Sequence, residues 1–278
     1  MTHSVYFSCA VANTVYAVFF VITVFFLFRK ENRILPLLTS CLILIPYRTG
    51  MLDYYQMLFF GGSWYVLKSI IPLLLIAILT LNEEDKGTKA RKKSLVFSVL
   101  FCVCLYAVIM STGVYVAFTA IVPVMAVYLA YQFICWKKPD IYNVILLAVS
   151  SIIIVGGSAF FIRLLDGEKT TNMKFIHIYN FWDNIHSCFR GLFELMGAVT
   201  EETDISVMSL DGINAVLKFV MLLIMFLCLL EAVKRQKTEA KRSLQDILLL
   251  AVVFANYFVL NVTDTRGGSD TSEYRYHL

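Results

Sequence analysis

The ionisable and aromatic residues able to do chemistry fall into three polar segments set between long apolar runs. The first, residues 47–63, reads YRTGMLDYYQMLFFGGS and carries Arg48 and Asp53 among Tyr47, Tyr54, Tyr55 and Gln56. A carboxylate such as Asp53, held at a membrane surface, can take the proton of an incoming hydroxyl. A guanidinium such as Arg48 can grip a phosphate through two parallel hydrogen bonds, with Tyr54 beside it. The same residues also suit an interfacial belt of aromatics around one ion pair. The second segment, 163–212, contains FWDNIHSCFRGLFELMGA at 181–198. There Phe181, Ile185, Phe189, Leu192, Phe193 and Met196 recur by threes and fours, while Asp183, His186, Arg190 and Glu194 fall opposite. This predicts an amphipathic helix lying on the membrane surface, with His186 and Arg190 one turn apart and able to meet a lipid-phosphate headgroup. Ordinary pairs on a solvated helix face are the alternative. The third segment, 263–278, packs Asp264, Arg266, Asp270, Glu273, Tyr274, Arg275, Tyr276 and His277 behind a Gly267-Gly268 turn. Arg275 is its best phosphate holder.

The elements that must position these segments are membrane helices. Apolar residues make up 59% of the 278 and charged residues 16%, where a soluble domain carries about 25% charge. A crossing needs roughly 20 apolar residues. The long continuous runs exclude a β-barrel, whose strands alternate over about ten residues. The sequence therefore predicts an all-α polytopic bundle forming one transmembrane domain over 1–278. About eight spans are expected, at 5–28, 34–46, 64–81, 95–110, 114–136, 141–162, 213–230 and 244–262. Pro72 and Pro123 are expected to kink or interrupt theirs.

Charge sorting orients this bundle. The segments after odd-numbered spans hold 15 of the 24 basic residues: Arg29, Lys30 and Arg33; Lys86, Lys89, Arg91, Lys92 and Lys93; Lys137 and Lys138; Lys234, Arg235, Lys237, Lys241 and Arg242. The positive-inside rule places these in the cytoplasm. The N-terminus, the 47–63 and 163–212 loops and the terminal segment are then extracytoplasmic. The first run lacks the basic leader of a cleaved signal peptide and is followed by basic residues, so it reads as a retained span. The polar-aromatic ending has the character of a loop cut short, and a piece of a longer protein is expected.

Several classes are disfavoured. The net charge of +4 is spread between apolar runs and serves topology, not nucleic acid. Of the seven cysteines, only Cys188 falls in a polar loop, so neither a disulfide framework nor a zinc site is expected. The spans hold almost no ionisable residues of the kind that relay protons or ions, which counts against an ion-coupled pump. Asn13, Asn143 and Asn256 suit helix–helix hydrogen bonds. No cofactor is implied, with a divalent cation left open.

The terminal stretch TDTRGGSDTSEYRYHL, with its Glu273-Tyr274-Arg275-Tyr276 core, resembles the external Arg-Tyr segment of bacterial GT-C glycosyltransferases. These are multi-span enzymes related to the protein mannosyltransferases. The amphipathic segment ending Leu195-Met196-Gly197-Ala198 is similar to their external loops. The resemblance implies sugar transfer from a polyprenyl-phosphate donor on the extracytoplasmic face to an envelope glycan or lipid-linked acceptor. It further implies an acidic base in the first external loop, for which Asp53 is the nearest counterpart. Basic residues near the membrane would hold the lipid phosphate. Alternatives from the residues alone are an envelope polysaccharide polymerase or ligase, and a non-catalytic transporter or flippase-like protein.

Overall fold

The computed structural model describes residues 5–44, 64–112, 117–135, 138–164, 174–176, 180–195, 198, 206, 208–238 and 243–264. Its helices are α1 (Val5–Leu27), α2 (Ile34–Leu44), α3 (Trp64–Glu84), α4 (Thr88–Thr112), α5 (Val122–Ile134), α6 (Ile141–Leu164), α7 (Phe181–Leu195), α8 (Leu210–Thr238) and α9 (Leu244–Val262). A π-helical turn, Ala117–Ile121, runs into α5. The only other regular structure among the described residues is a two-residue antiparallel pairing of β1 (Lys174–Phe175) with β2 (Thr263–Asp264).

Four of these helices are long and apolar enough to cross a membrane: Thr88–Met110, Ala117–Ile134, Ile141–Phe160 and Leu210–Glu231. Thr14–Leu27 and Leu244–Val259 are shorter apolar helices. Each expected apolar run coincides with a helix, and four of them meet the requirements of a span among the described residues.

The chain forms two compact units. The first comprises 1–45, 53–170 and 243–256. Its centre is α3, whose Ile70, Ile71 and Leu74–Leu79 are fully buried on every side; a helix apolar all round belongs in an interior. It packs against α1, α4, α6 and the π turn, and α4 packs against α6. Phe20, Val24 and Leu27 of α1 and Phe101, Leu105, Val108 and Ile109 of α4 complete the core. At Gly157 of α6 a Cβ would stand 3.0 Å from Ile109 Cγ2, so glycine permits the close approach of α6 to α4. The outward faces are equally apolar. Leu95, Val96, Val99, Val103 and Tyr106 on α4, and Ile145, Ile152 and Val155 on α6, are all exposed. Apolar surface on this scale suits lipid, not water.

Local chemistry sets the helix ends. The Asp140 carboxylate accepts the Tyr142 N–H at 3.0 Å and caps α6. Ser209 Oγ accepts the Gly212 N–H at 3.1 Å at the start of α8. Asp85 Oδ1 accepts the Gly87 N–H at 2.8 Å, and α4 starts directly after this turn. Lys89, Arg91, Lys92 and Lys93, expected in a loop, therefore lie in the first turns of α4. Lys234, Arg235 and Lys237 likewise extend α8. The expected break at Pro123 takes the form of the π turn, a common way to absorb a residue that lacks an N–H.

The second unit comprises 46–52, 171–242 and 257–278. Lys174 pairs with Asp264 and Phe175 with Thr263, and the Ile176 N–H donates to the Val262 carbonyl at 3.1 Å. Phe189 of α7 meets Phe226 of α8 at 6.1 Å between ring centroids, and Phe193 stacks on Phe219 at 5.7 Å. On α8 Leu222 is fully buried, while Leu217, Met221, Ile224 and Leu227 are exposed.

Candidate functional site

The amphipathic reading of 181–198 meets a helix at Phe181–Leu195. Asp183 stands in its first turn, favourable to the N-terminal end of the helix dipole. Leu192 and Cys188 are buried, and the Asn184 carboxamide donates to the Asn261 carbonyl at 3.4 Å. Cys188 is thus an interior residue of the helix packing and not a loop thiol. Burial pushes its thiol up, and a hydrogen bond from Asn261 offsets this in part. A thiol held protonated in this way is a poor nucleophile and a poor metal ligand.

His186 and Arg190 are both exposed and one turn apart. With Trp182, Asp183, Ile185, Phe189 and Phe193 they line a hollow of about 620 Å³. All seven residues lie on α7, so the lining mixes a guanidinium and an imidazole with aliphatic and aromatic carbon. That arrangement suits an amphiphile with an anionic head. Arg190 can hold two oxygens of a phosphate, and the rings accept a hydrocarbon stem.

The other residues expected to act lie outside the described residues. Arg48, Asp53 and Tyr54 fall in 45–63, and Arg266, Glu273, Arg275 and Tyr276 in 265–278. The expected approach of Arg275 to Asp53 lies there too. Among the described residues no group of three His, Cys, Asp or Glu side chains is placed to hold a metal ion.

No protein-family model, curated protein or solved structure matches this chain.

The first unit holds a polar cluster of which the sequence pointed only to Asn143, read as a helix–helix hydrogen-bonding residue and found bonded to α3. The apolar run of α3 ends at Leu81, but the helix continues through Asn82, Glu83 and Glu84. Glu83 Oε1 accepts hydrogen bonds from the Tyr128 hydroxyl, from Gln132 Nε2 at 2.8 Å, from the Asp140 N–H at 3.3 Å and from Asn143 Nδ2 at 3.4 Å. Asn143 also donates to the Leu79 carbonyl at 3.1 Å and the Tyr128 hydroxyl at 3.0 Å, and accepts from Asn82 Nδ2 at 2.8 Å. Beside this set Arg91 grips Asp140 with both terminal nitrogens, Nη1 to Oδ1 at 2.8 Å and Nη2 to Oδ2. The guanidinium carbon lies 4.4 Å from the centre of the Tyr142 ring. The Arg91 hydrogen bonds hold the Asp140 carboxyl below its ordinary value. At α1, Arg29 and Lys30 both pair with Glu84.

The cluster draws on α3, α4, α5 and α6. Its hydrogen bonds onto α3 and the Arg91–Asp140 pair join residues 45 to 64 positions apart, so no helical period in the sequence links these elements. Besides Asn143, a signal lay in the pair Asn82-Glu83 directly after the apolar stretch of α3, since a polar group there is either solvated or paired.

Proposed function

We propose that this chain is a GT-C-like glycosyltransferase, or part of one, acting on a polyprenyl-phosphate-linked sugar at the extracytoplasmic membrane surface. The observation that carries this reading is the α7 hollow, where Arg190 and His186 stand beside Ile185, Phe189 and Phe193. A lipid phosphate needs that combination: donors for its oxygens and carbon for its isoprenoid stem. The Glu273-Tyr274-Arg275-Tyr276 resemblance supports the same chemistry.

In this reading all eight apolar runs cross the bilayer, with the basic segments cytoplasmic and both termini, α7 and the 47–63 loop outside. The reaction is a single displacement at the anomeric carbon. The acceptor oxygen forms a bond to that carbon as the bond to the donor phosphate oxygen breaks. The electron pair leaves with the polyprenyl phosphate. Asp53 takes the acceptor proton. Arg48, Arg266 and Arg275 hold charge developing on the phosphate, with Arg190 and His186 binding the lipid headgroup. Tyr54, Glu273 and Tyr276 orient the sugar.

The test is binding of polyprenyl phosphate to the full chain in nanodiscs. Removing a charge-assisted hydrogen bond costs about 1.5–3 kcal/mol, so Arg190→Ala should weaken binding roughly 10- to 100-fold. Arg190→Lys should recover little of it. Lys92→Ala should bind as wild type. Equal binding by wild type and Arg190→Ala would remove α7 from the site.

A further inference from the structure

The Glu83 cluster has more acceptors than donors. Two of its carboxamide oxygens, Asn82 Oδ1 and Gln132 Oε1, are buried without a hydrogen-bond partner, on side chains only 1% and 3% exposed. Leaving such oxygens unmatched in an apolar interior is costly.

Rotating either amide does not remove the mismatch. The Gln132 NH2 group faces Glu83 Oε1, which as a carboxylate oxygen only accepts. Turning Gln132 over would set oxygen against oxygen. The Asn143 NH2 group faces the Leu79 carbonyl and the Glu83 carboxylate, so its own oxygen must face Asn82. Asn82 therefore has to present its NH2 to Asn143, which leaves Oδ1 over. The two obligate acceptors fix the direction of the whole network.

Charge contact is short in the same sense: among the described residues no cationic side chain pairs directly with Glu83, and Arg91 acts on it only through space. Glu83 and Asp140 bring two carboxylates, and Arg91 brings one guanidinium already engaged at both ends by Asp140. Lys86 acts on Asp140 from farther away. All four hydrogen bonds to Glu83 reach Oε1, so Oε2 lies outside this set. A buried water would satisfy the two amide oxygens but would leave Glu83 without a cation in contact. One carboxylate with neutral amide oxygens is too few charges for a calcium site, which gathers six to eight oxygens and several carboxylates.

We propose that Glu83, with the carboxamide oxygens of Asn82 and Gln132, forms a binding site for a single alkali cation where α3, α5 and α6 meet. The site belongs to the first unit and does not depend on the phosphate chemistry assigned to α7. The ion joins three helix ends, because its ligands come from α3 and α5 while Asn143 and Asp140 bring α6 to the same carboxylate.

The full chain, purified in detergent into choline chloride, is titrated with NaCl or KCl at constant ionic strength while unfolding is followed by heating. A ligand at about 100 times its Kd should raise Tm by roughly 5 °C, and the rise should saturate. Equilibrium binding of 22Na+ or 86Rb+ should approach one ion per chain. Glu83→Gln should lose both the Tm response and the bound isotope. Its Tm in choline should not fall far below that of wild type, since the uncompensated charge is gone. Gly156→Ala should respond as wild type. If wild-type Tm is the same in sodium, potassium and choline, the two oxygens hold water and the proposal fails; this needs no variant to fold. A full cation response in Glu83→Gln would remove Glu83 from the site. Saturation by calcium or magnesium at lower concentration than by either alkali ion would overturn the monovalent assignment.

Discussion

Asn256 on α9 donates through Nδ2 to the Thr119 carbonyl of the π turn at 3.1 Å. Thr119 stands four residues before Pro123, which has no N–H to offer, so its carbonyl lacks the usual α-helical donor. The asparagine also bonds its own helix at the Val252 carbonyl, 2.8 Å away, and is held in place by it. Asn256→Leu should destabilise the chain by about 1 kcal/mol, the net worth of a hydrogen bond lost. In a Pro123→Ala background the helix regains its own donor, and the same substitution should cost less than half as much. Detergent unfolding of the double-mutant cycle measures this, and an additive cycle would show that Asn256 does not serve the proline gap.

The Arg91–Asp140 pair ties the start of α4 to the start of α6. Its contribution to stability depends on pH. The folded carboxyl titrates below its unfolded value of 3.8, so the contribution is complete above the ordinary carboxylate range and is lost as pH falls through the folded value. Between pH 6 and pH 3 wild-type Tm should fall more steeply than that of Asp140→Asn, which keeps an N-cap oxygen but has no charge to lose. Parallel slopes would mean that the pair adds nothing. Arg91→Lys should lower Tm at neutral pH, because an ammonium cannot reproduce the two-nitrogen grip.

Gly156 and Gly157 are neighbours on α6 with opposite surroundings. A Cβ at Gly156 meets nothing within 4 Å, whereas at Gly157 it meets Ile109 Cγ2 at 3.0 Å. Glycine in a helix interior costs about 1 kcal/mol relative to alanine. Gly156→Ala should therefore match or exceed wild-type stability. Gly157→Ala should fall below Gly156→Ala by about 1 kcal/mol, as the β-branched isoleucine must give way. Equal Tm values would place the α4–α6 contact elsewhere.

The proposed orientation is tested in sealed cells with a membrane-impermeant thiol reagent, after replacement of the native cysteines. Cysteines at Lys89 and Lys138 should stay unlabelled, and cysteines at Glu168 and Asp270 should label. Labelling at Lys89 would invert the topology.

Much of the helical framework was legible because hydrocarbon imposes a long, unbroken signal: Leu95 to Met110 is apolar almost throughout, and α4 follows. The amphipathic α7 was legible because Phe189 and Phe193 recur at helical spacing, and both meet aromatic rings of α8. Helix ends were less so. Lys89 to Lys93 read as a loop by charge, yet the Asp85–Gly87 turn starts the helix before them, since lysine and arginine are good helix formers. Cys188 sits among polar neighbours in sequence and is buried by packing that only the fold supplies. The Glu83 cluster escaped for a related reason. Its partners Tyr128, Gln132, Asp140 and Asn143 each look like routine polar residues near a span end, and only the bundle brings them to one oxygen.

The proposed activity is transfer of a sugar from a lipid phosphate. Proteoliposomes carrying the full-length protein are given polyprenyl-phosphate donors with radiolabelled sugars, together with an envelope-glycan acceptor, and both labelled acceptor and freed polyprenyl phosphate are counted. The wild type should release one polyprenyl phosphate per sugar transferred. Arg275→Ala should abolish transfer without impairing membrane insertion, Arg275→Lys should restore little, and Lys92→Ala should transfer as wild type. Transfer by Arg275→Ala at the wild-type rate would remove Arg275 from the site, and no turnover of any donor by wild type would overturn the glycosyltransferase assignment.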